Sequence, residues 1–128
     1  MTNKKVYRYE YINDFELESE TEPSPGPYNA DVYDESDEFD ELKDKMTAKH
    51  KKETHPNIWD DFDNFNYDYF CGCTTIKGLR KWFDGFNKGL LNNNFTLVEY
   101  VVGARVIGRS RKQCIFDVNT IKKRTILK

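Results

Sequence analysis

No stretch of this 128-residue chain approaches the roughly 18 consecutive apolar residues that a membrane-spanning helix needs. The first eleven residues are basic and aromatic and lack the apolar core of a secretory signal, so none is expected. Cysteine is scarce and odd in number, three in all, which argues against a disulfide framework and for a reducing compartment. Only two histidines are present. The chain has no G-x-S-x-G nucleophile elbow, no P-loop and no dinucleotide glycine fingerprint. These absences remove the common hydrolase, NTPase and dehydrogenase signatures. Aliphatic content is also low: hydrophobic residues make up 38% of the chain while aromatics alone reach 15%, so the core must be small and built largely from rings.

Charge is abundant and divided. Residues 1–70 hold 19 acidic side chains against 8 basic ones, a balance of −11, and residues 71–128 hold 12 basic against 3 acidic, a balance of +9. The net charge of −2 therefore conceals two oppositely charged halves. Such a division points to a polyelectrolyte partner or to one half neutralising the other.

The hydropathy pattern predicts a strand over 6–12, with Tyr7, Tyr9 and Tyr11 on the buried face and Val6, Arg8, Glu10 and Ile12 on the other. An acidic, proline-bearing loop follows over 14–29. Phe39, Leu42 and Met46 fall at helical spacing within 31–52, and Glu41 and Lys45 form a favourable i,i+4 pair. The stripe is narrow, so this helix is marginal alone. A short strand is expected over 68–73, ending at Thr74 and Thr75, either of which can cap a helix. The strongest helix is expected over 76–91, where Ile76, Leu79, Trp82, Phe83, Phe86 and Leu90 share one stripe. Gly78, Gly85 and Gly89 weaken it by up to ~1 kcal/mol each. Burial at ~1.5–3 kcal/mol per large apolar side chain outweighs that cost. Asn92–Asn94 should end the helix. A β-rich run over 95–107, broken at Gly103, and a returning strand over 113–118 read as a hairpin, with a short strand over 125–127 in the basic tail.

Several clusters carry residue types capable of chemistry. Cys71 and Cys73, with His50 and His55, are separated by one residue instead of the two to four of a zinc knuckle, and read as small buried residues beside a tight glycine. No metal site, catalytic residue or cofactor is expected. The acidic run 31–41 with Asp60, Asp61 and Asp63 reads as a solvated acidic face, or as an array imitating nucleic-acid phosphates. Arg105, Arg109, Arg111 and Lys112 cluster at the hairpin turn, where they can dock the chain's own acidic half, grip nucleic acid or meet a protein.

The order Tyr7-Arg8-Tyr9-Glu10, Gly26-Pro27-Tyr28, His55-Pro56, Leu79-Arg80-Lys81-Trp82-Phe83, Leu97-Val98-Glu99-Tyr100, Gln113-Cys114-Ile115-Phe116 resembles small accessory proteins of tailed bacteriophages. That resemblance implies a protein that binds and disables a host factor, such as a restriction or CRISPR defence system, in the host cytoplasm. A looser resemblance, to compact ADP-ribosyltransferase-like domains, implies NAD binding by Arg8 and Tyr28 with Gln113 in the place of the acidic residue. Glutamine cannot ionise, so it cannot serve as a general base.

The expectation is therefore one α+β domain over 1–128, with one main amphipathic helix packed on a small antiparallel sheet. An acidic loop with a marginal helix spans 13–56, partly mobile, and a helix-plus-hairpin core spans 67–128. The expected function is non-enzymatic inhibition of a host protein or protein–nucleic-acid complex through an acidic and aromatic surface of Asp34, Glu35, Asp37, Glu38, Asp40, Trp59, Asp60, Asp61 and Phe62. The alternatives are an NAD-using transferase, or nucleic-acid binding through Arg105, Arg109, Arg111 and Lys112.

Overall fold

The computed structural model describes residues 3–11, 37–49, 61–62 and 69–127. Their order is β1 (Lys4–Tyr11), α1 (Asp37–Lys49), β2 (Tyr69–Gly72), α2 (Ile76–Trp82), α3 (Asn87–Asn92), β3 (Phe95–Val102), β4 (Arg105–Ile107), β5 (Cys114–Asp117), a 3-10 turn (Val118–Thr120) and β6 (Ile121–Leu127). The architecture is α+β, with two antiparallel three-stranded sheets ordered β1-β3-β6 and β2-β5-β4. The expected loop over 14–29 and Ile12 lie outside the described residues.

β1 is buried on both faces, which its alternating sequence does not announce. Tyr9 and Tyr11 pack, as expected, into a cluster with Met46, Leu79, Phe83, Leu90 and Phe95, so this face meets the helices. Tyr9 meets Phe83 edge-on at 5.5 Å, and Tyr11 meets Phe95 likewise at 5.6 Å. The opposite face carries Val6, Arg8 and Glu10, all buried. Val6 joins Val98, Tyr100 and Val102 in a second cluster with Cys114 and Phe116 of the other sheet. The β1-β3-β6 sheet is thus a middle layer, with helices on one side and the second sheet on the other.

The two sheets are joined at a corner. Tyr7 and Cys73 exchange both backbone hydrogen bonds, each 2.8 Å, using the edge of β1 that β3 leaves open. Gly72 lies in this approach. A Cβ there would stand 2.6 Å from Val6 Cγ1 and 2.7 Å from the Tyr7 carbonyl oxygen.

Two expectations need correction. The helix over 76–91 is two helices, α2 and α3, separated by a turn at 83–86 in which Gly85 adopts φ +90°. That conformation is glycine's own and interrupts the backbone ladder. The apolar stripe survives the break: Leu79, Phe83 and Leu90 are buried, with Trp82 and Phe86 packed beside them. Thr75 caps α2 as expected, accepting from the Gly78 N–H at 2.9 Å. Asn94 takes a left-handed φ of 68° beyond α3.

The run over 95–107 also divides. β3 pairs with β1 and β6, whereas β4 crosses to the other sheet and pairs with β5, so the hairpin consists of β4 and β5 alone. The chain changes sheets at Gly103, whose N–H bonds the Thr120 carbonyl at 3.0 Å. β6 is longer than the expected strand and completes the middle sheet.

Replacing Gly72 by Ala should lower unfolding stability by about 1–3 kcal/mol, because the new methyl meets backbone as well as a buried side chain. Urea denaturation reads this directly, and an unchanged midpoint would show that the corner can relax.

Candidate functional site

The β4–β5 hairpin brings the basic residues together around a loop over 108–113. The Gly108 N–H bonds the Gln113 carbonyl at 2.9 Å, and the Arg111 N–H bonds the Gly108 carbonyl at 2.9 Å. Arg111 holds φ 63°, an uncommon conformation for a residue with a side chain. The loop is fixed from within by Asp61. Its carboxylate accepts from the Ser110 N–H at 2.7 Å, the Ser110 hydroxyl at 2.9 Å and the Gln113 amide at 3.0 Å. The Asp61 carbonyl also accepts from the Arg109 N–H at 3.2 Å. Loop donors that would otherwise point into the fold are thereby satisfied by a built-in anion.

The side chains of Arg109, Arg111 and Lys112 are exposed around this loop. Arg105 is half-buried, and its guanidinium donates to the Lys5 carbonyl. Beside the tip, Val106 and Ile107 are 52% and 49% exposed, two of the large hydrophobic residues left at the surface. The surface is thus a short apolar strand ending in a cationic tip.

The acidic and aromatic residues fall differently. Asp61 and Phe62, expected on an outward surface, are buried, because the hairpin donors draw the Asp61 carboxylate inward. Asp40 is exposed on α1, beside Glu41 and Asp44, and Glu41 pairs with Lys45 at 3.1 Å. Asp37 and Glu38 begin α1, their side chains outside the described residues. Asp34, Glu35, Trp59 and Asp60 also lie outside the described residues. The exposed acidic residues of α1 and the hairpin cations are therefore not paired with each other in any described contact. The described contacts of acidic side chains from 1–70 with the second half include Asp61 on the hairpin loop and Glu10 on Arg124.

A buried ionic group in the middle sheet was not anticipated. Glu10 accepts from the Tyr100 hydroxyl at 2.6 Å and from Arg124 Nη2 at 2.8 Å. Arg124 Nε also donates to the Tyr100 oxygen at 3.1 Å. Arg8 Nε stands 3.1 Å from Glu10, with the guanidinium over the Phe70 ring at 4.9 Å. Burial, and then the charge and hydrogen bond of Glu10, push the Tyr100 phenol well above its ordinary pKa. Burial alone would lower the Arg124 pKa, but Glu10 and Tyr100 outweigh it and hold that guanidinium above its usual value. The available signal was the Arg8–Glu10 pair at strand spacing. Arg124, one cation among several in the basic tail, concealed the third member.

This arrangement bears on the transferase reading. Arg8 and Gln113 are both buried, one against Glu10 and the other bonded to Asp61. Tyr28 lies outside the described residues. Among the described residues no group of three His, Cys, Asp or Glu side chains converges as metal ligands, and His50 and His55 lie outside them. No helix of the described residues is long and apolar enough to cross a membrane.

The family model for the Bacteriophage T4 Y00F protein matches residues 1–128, the whole chain. The protein is a phage protein, and the chain belongs to the Bacteriophage T4 Y00F family. Comparison with curated proteins and with solved structures returns no match.

Asp61→Ala should cost about 1–3 kcal/mol by leaving the Ser110 and Gln113 donors unsatisfied, and should speed exchange of the Ser110 amide. Retained stability and unchanged exchange would show that the tip holds its own shape. Burial pushes the thiols of Cys73 and Cys114 up to about 12. At pH 8 the folded protein should therefore take a maleimide label at the exposed Cys71 alone, with Cys73 and Cys114 labelled only after unfolding. Mass spectrometry counts the labels, and rapid native labelling of either buried thiol would contradict this reading.

Proposed function

We propose that this phage protein is a non-enzymatic accessory factor that binds and inhibits a host macromolecule in the host cytoplasm, and that it makes contact through the β4–β5 hairpin. The observation that carries the reading is the joint exposure of Arg109, Arg111 and Lys112 beside Val106 and Ile107, on a loop that Asp61 already holds in shape. A pre-shaped surface loses little entropy on binding. The cations steer an anionic partner into encounter, and the aliphatic strip adds apolar burial once contact is made.

The mixture favours an acidic protein over naked nucleic acid. Phosphates would meet the exposed cations but leave Val106 and Ile107 uncovered. A second reading keeps the acidic face: Asp40, Glu41 and Asp44 are exposed on α1, where they can meet a cationic host surface. The interleaved Lys43 and Lys45 weaken its field, so it stands second.

The test is capture from host lysate at low and high salt, with and without nuclease, comparing the wild-type chain with a variant carrying R109A, R111A and K112A. A host protein retained at low salt, resistant to nuclease and reduced about tenfold by the variant is the expected result. Equal retention by the variant, with loss in D40N/E41Q/D44N, would transfer the function to the acidic face. Capture abolished by nuclease, with a shift of naked DNA, would mark a nucleic-acid-binding protein.

A further inference from the structure

We infer that the outer edge of β4 is a strand-addition site for an extended acidic segment of a partner protein. This rests on the hairpin reading above and specifies how the partner is held. β4 is an edge strand, since its sheet runs β2-β5-β4. The Gly108–Gln113 backbone bond fixes the phase of the ladder. Along the register Ile107↔Cys114, Val106↔Ile115, Arg105↔Phe116, bonded and non-bonded pairs alternate. Val106 therefore turns its N–H and C=O toward β5, and Arg105 and Ile107 turn theirs outward. Among the described residues no strand pairs with that side.

Edges of this kind usually carry protection, in the form of short length, charge or a covering segment. β4 is short, but Val106 and Ile107 expose roughly half of their surface instead of a charge. The exposed charges of the hairpin loop are positive, Arg109, Arg111 and Lys112, with Arg105 at the start of β4, while the Asp61 carboxylate is buried beneath the loop on Ser110 and Gln113. That sign selects the occupant. A second copy paired antiparallel about Val106 would bring Arg105 of each chain beside the other's cationic tip, which like-charge repulsion disfavours. An acidic strand gains the backbone bonds of Arg105 and Ile107, covers Val106 with its apolar face, and turns its carboxylates to the face of Arg105 and toward the tip.

The probe is a capped octapeptide of alternating Glu and Val, with its Lys–Val counterpart as the control, added to the full chain and followed by amide hydrogen exchange. Saturating Glu–Val peptide should slow exchange of the Arg105 and Ile107 amides about tenfold, while Lys–Val peptide leaves them unchanged. Ile107→Pro removes an outward N–H without touching the β4–β5 ladder and should weaken the peptide about tenfold. Ile107→Glu keeps the backbone and should weaken it similarly by repulsion, which covers the case in which the proline variant fails to fold. Unchanged exchange, equal protection by the Lys–Val peptide or by duplex DNA, self-association through the edge, or full affinity in the Glu variant would each overturn strand addition. Peptide binding that perturbs Arg109 and Arg111 but leaves the edge amides unprotected would overturn this inference alone. Lysate capture indifferent to the tip substitutions would overturn the hairpin reading instead.

Discussion

The pair of backbone hydrogen bonds between Tyr7 and Cys73 is the constraint on which the rest of the molecule hangs. It occupies the edge of β1 opposite β3, so that β1 is bonded along both edges and buried on both faces. Through Cys73 and Gly72 the bridge passes to β5 by the Gly72↔Cys114 register, and from β5 to β4. The hairpin that presents the cations is thus held by the same strand that organises the helical core. No side chain can stand at residue 72 without displacing that junction.

Between the sheets the chain keeps a polar group where apolar packing would do. Glu10, Tyr100 and Arg124 come from β1, β3 and β6, one from each strand of the middle sheet. Burying such ions costs several kcal/mol in desolvation, which their mutual bonds roughly offset, so the group adds little net stability. What it supplies is register. A one-residue slip of β1 would turn Glu10 toward Tyr9's apolar side and leave Arg124 facing no carboxylate, so the group selects one alignment of three strands.

Much of this was legible in the sequence where periodicity reports burial. The tyrosine face of β1, the stripe from Leu79 to Leu90 and the Thr75 cap followed from spacing alone. The phage affiliation drawn from the spaced motifs agrees with the family match over the whole chain. Failure came where one residue serves two environments. Arg8 and Glu10 look like a solvent face, and only the second sheet makes that face interior. Gly85 looked like a tolerable weakness in one long helix, but its positive φ turns the chain so that α3 lies along the core. Gly103 looked like a break within one β-rich run, yet it is where the chain leaves one sheet for the other. Asp61 resembled its acidic neighbours, and only the folded hairpin shows which carboxylate is drawn inside.

These features define a frame that ends in a cationic, partly apolar tip. The frame depends on the junction at β1, and native-state hydrogen exchange across a denaturant series tests it most directly. The amides of Tyr7 and Cys73 should exchange only through global unfolding, with the same free energy and denaturant dependence as the best-protected amides of β3. Exchange of that pair through a smaller opening, with β3 still protected, would show two sheets that merely touch and would contradict the account.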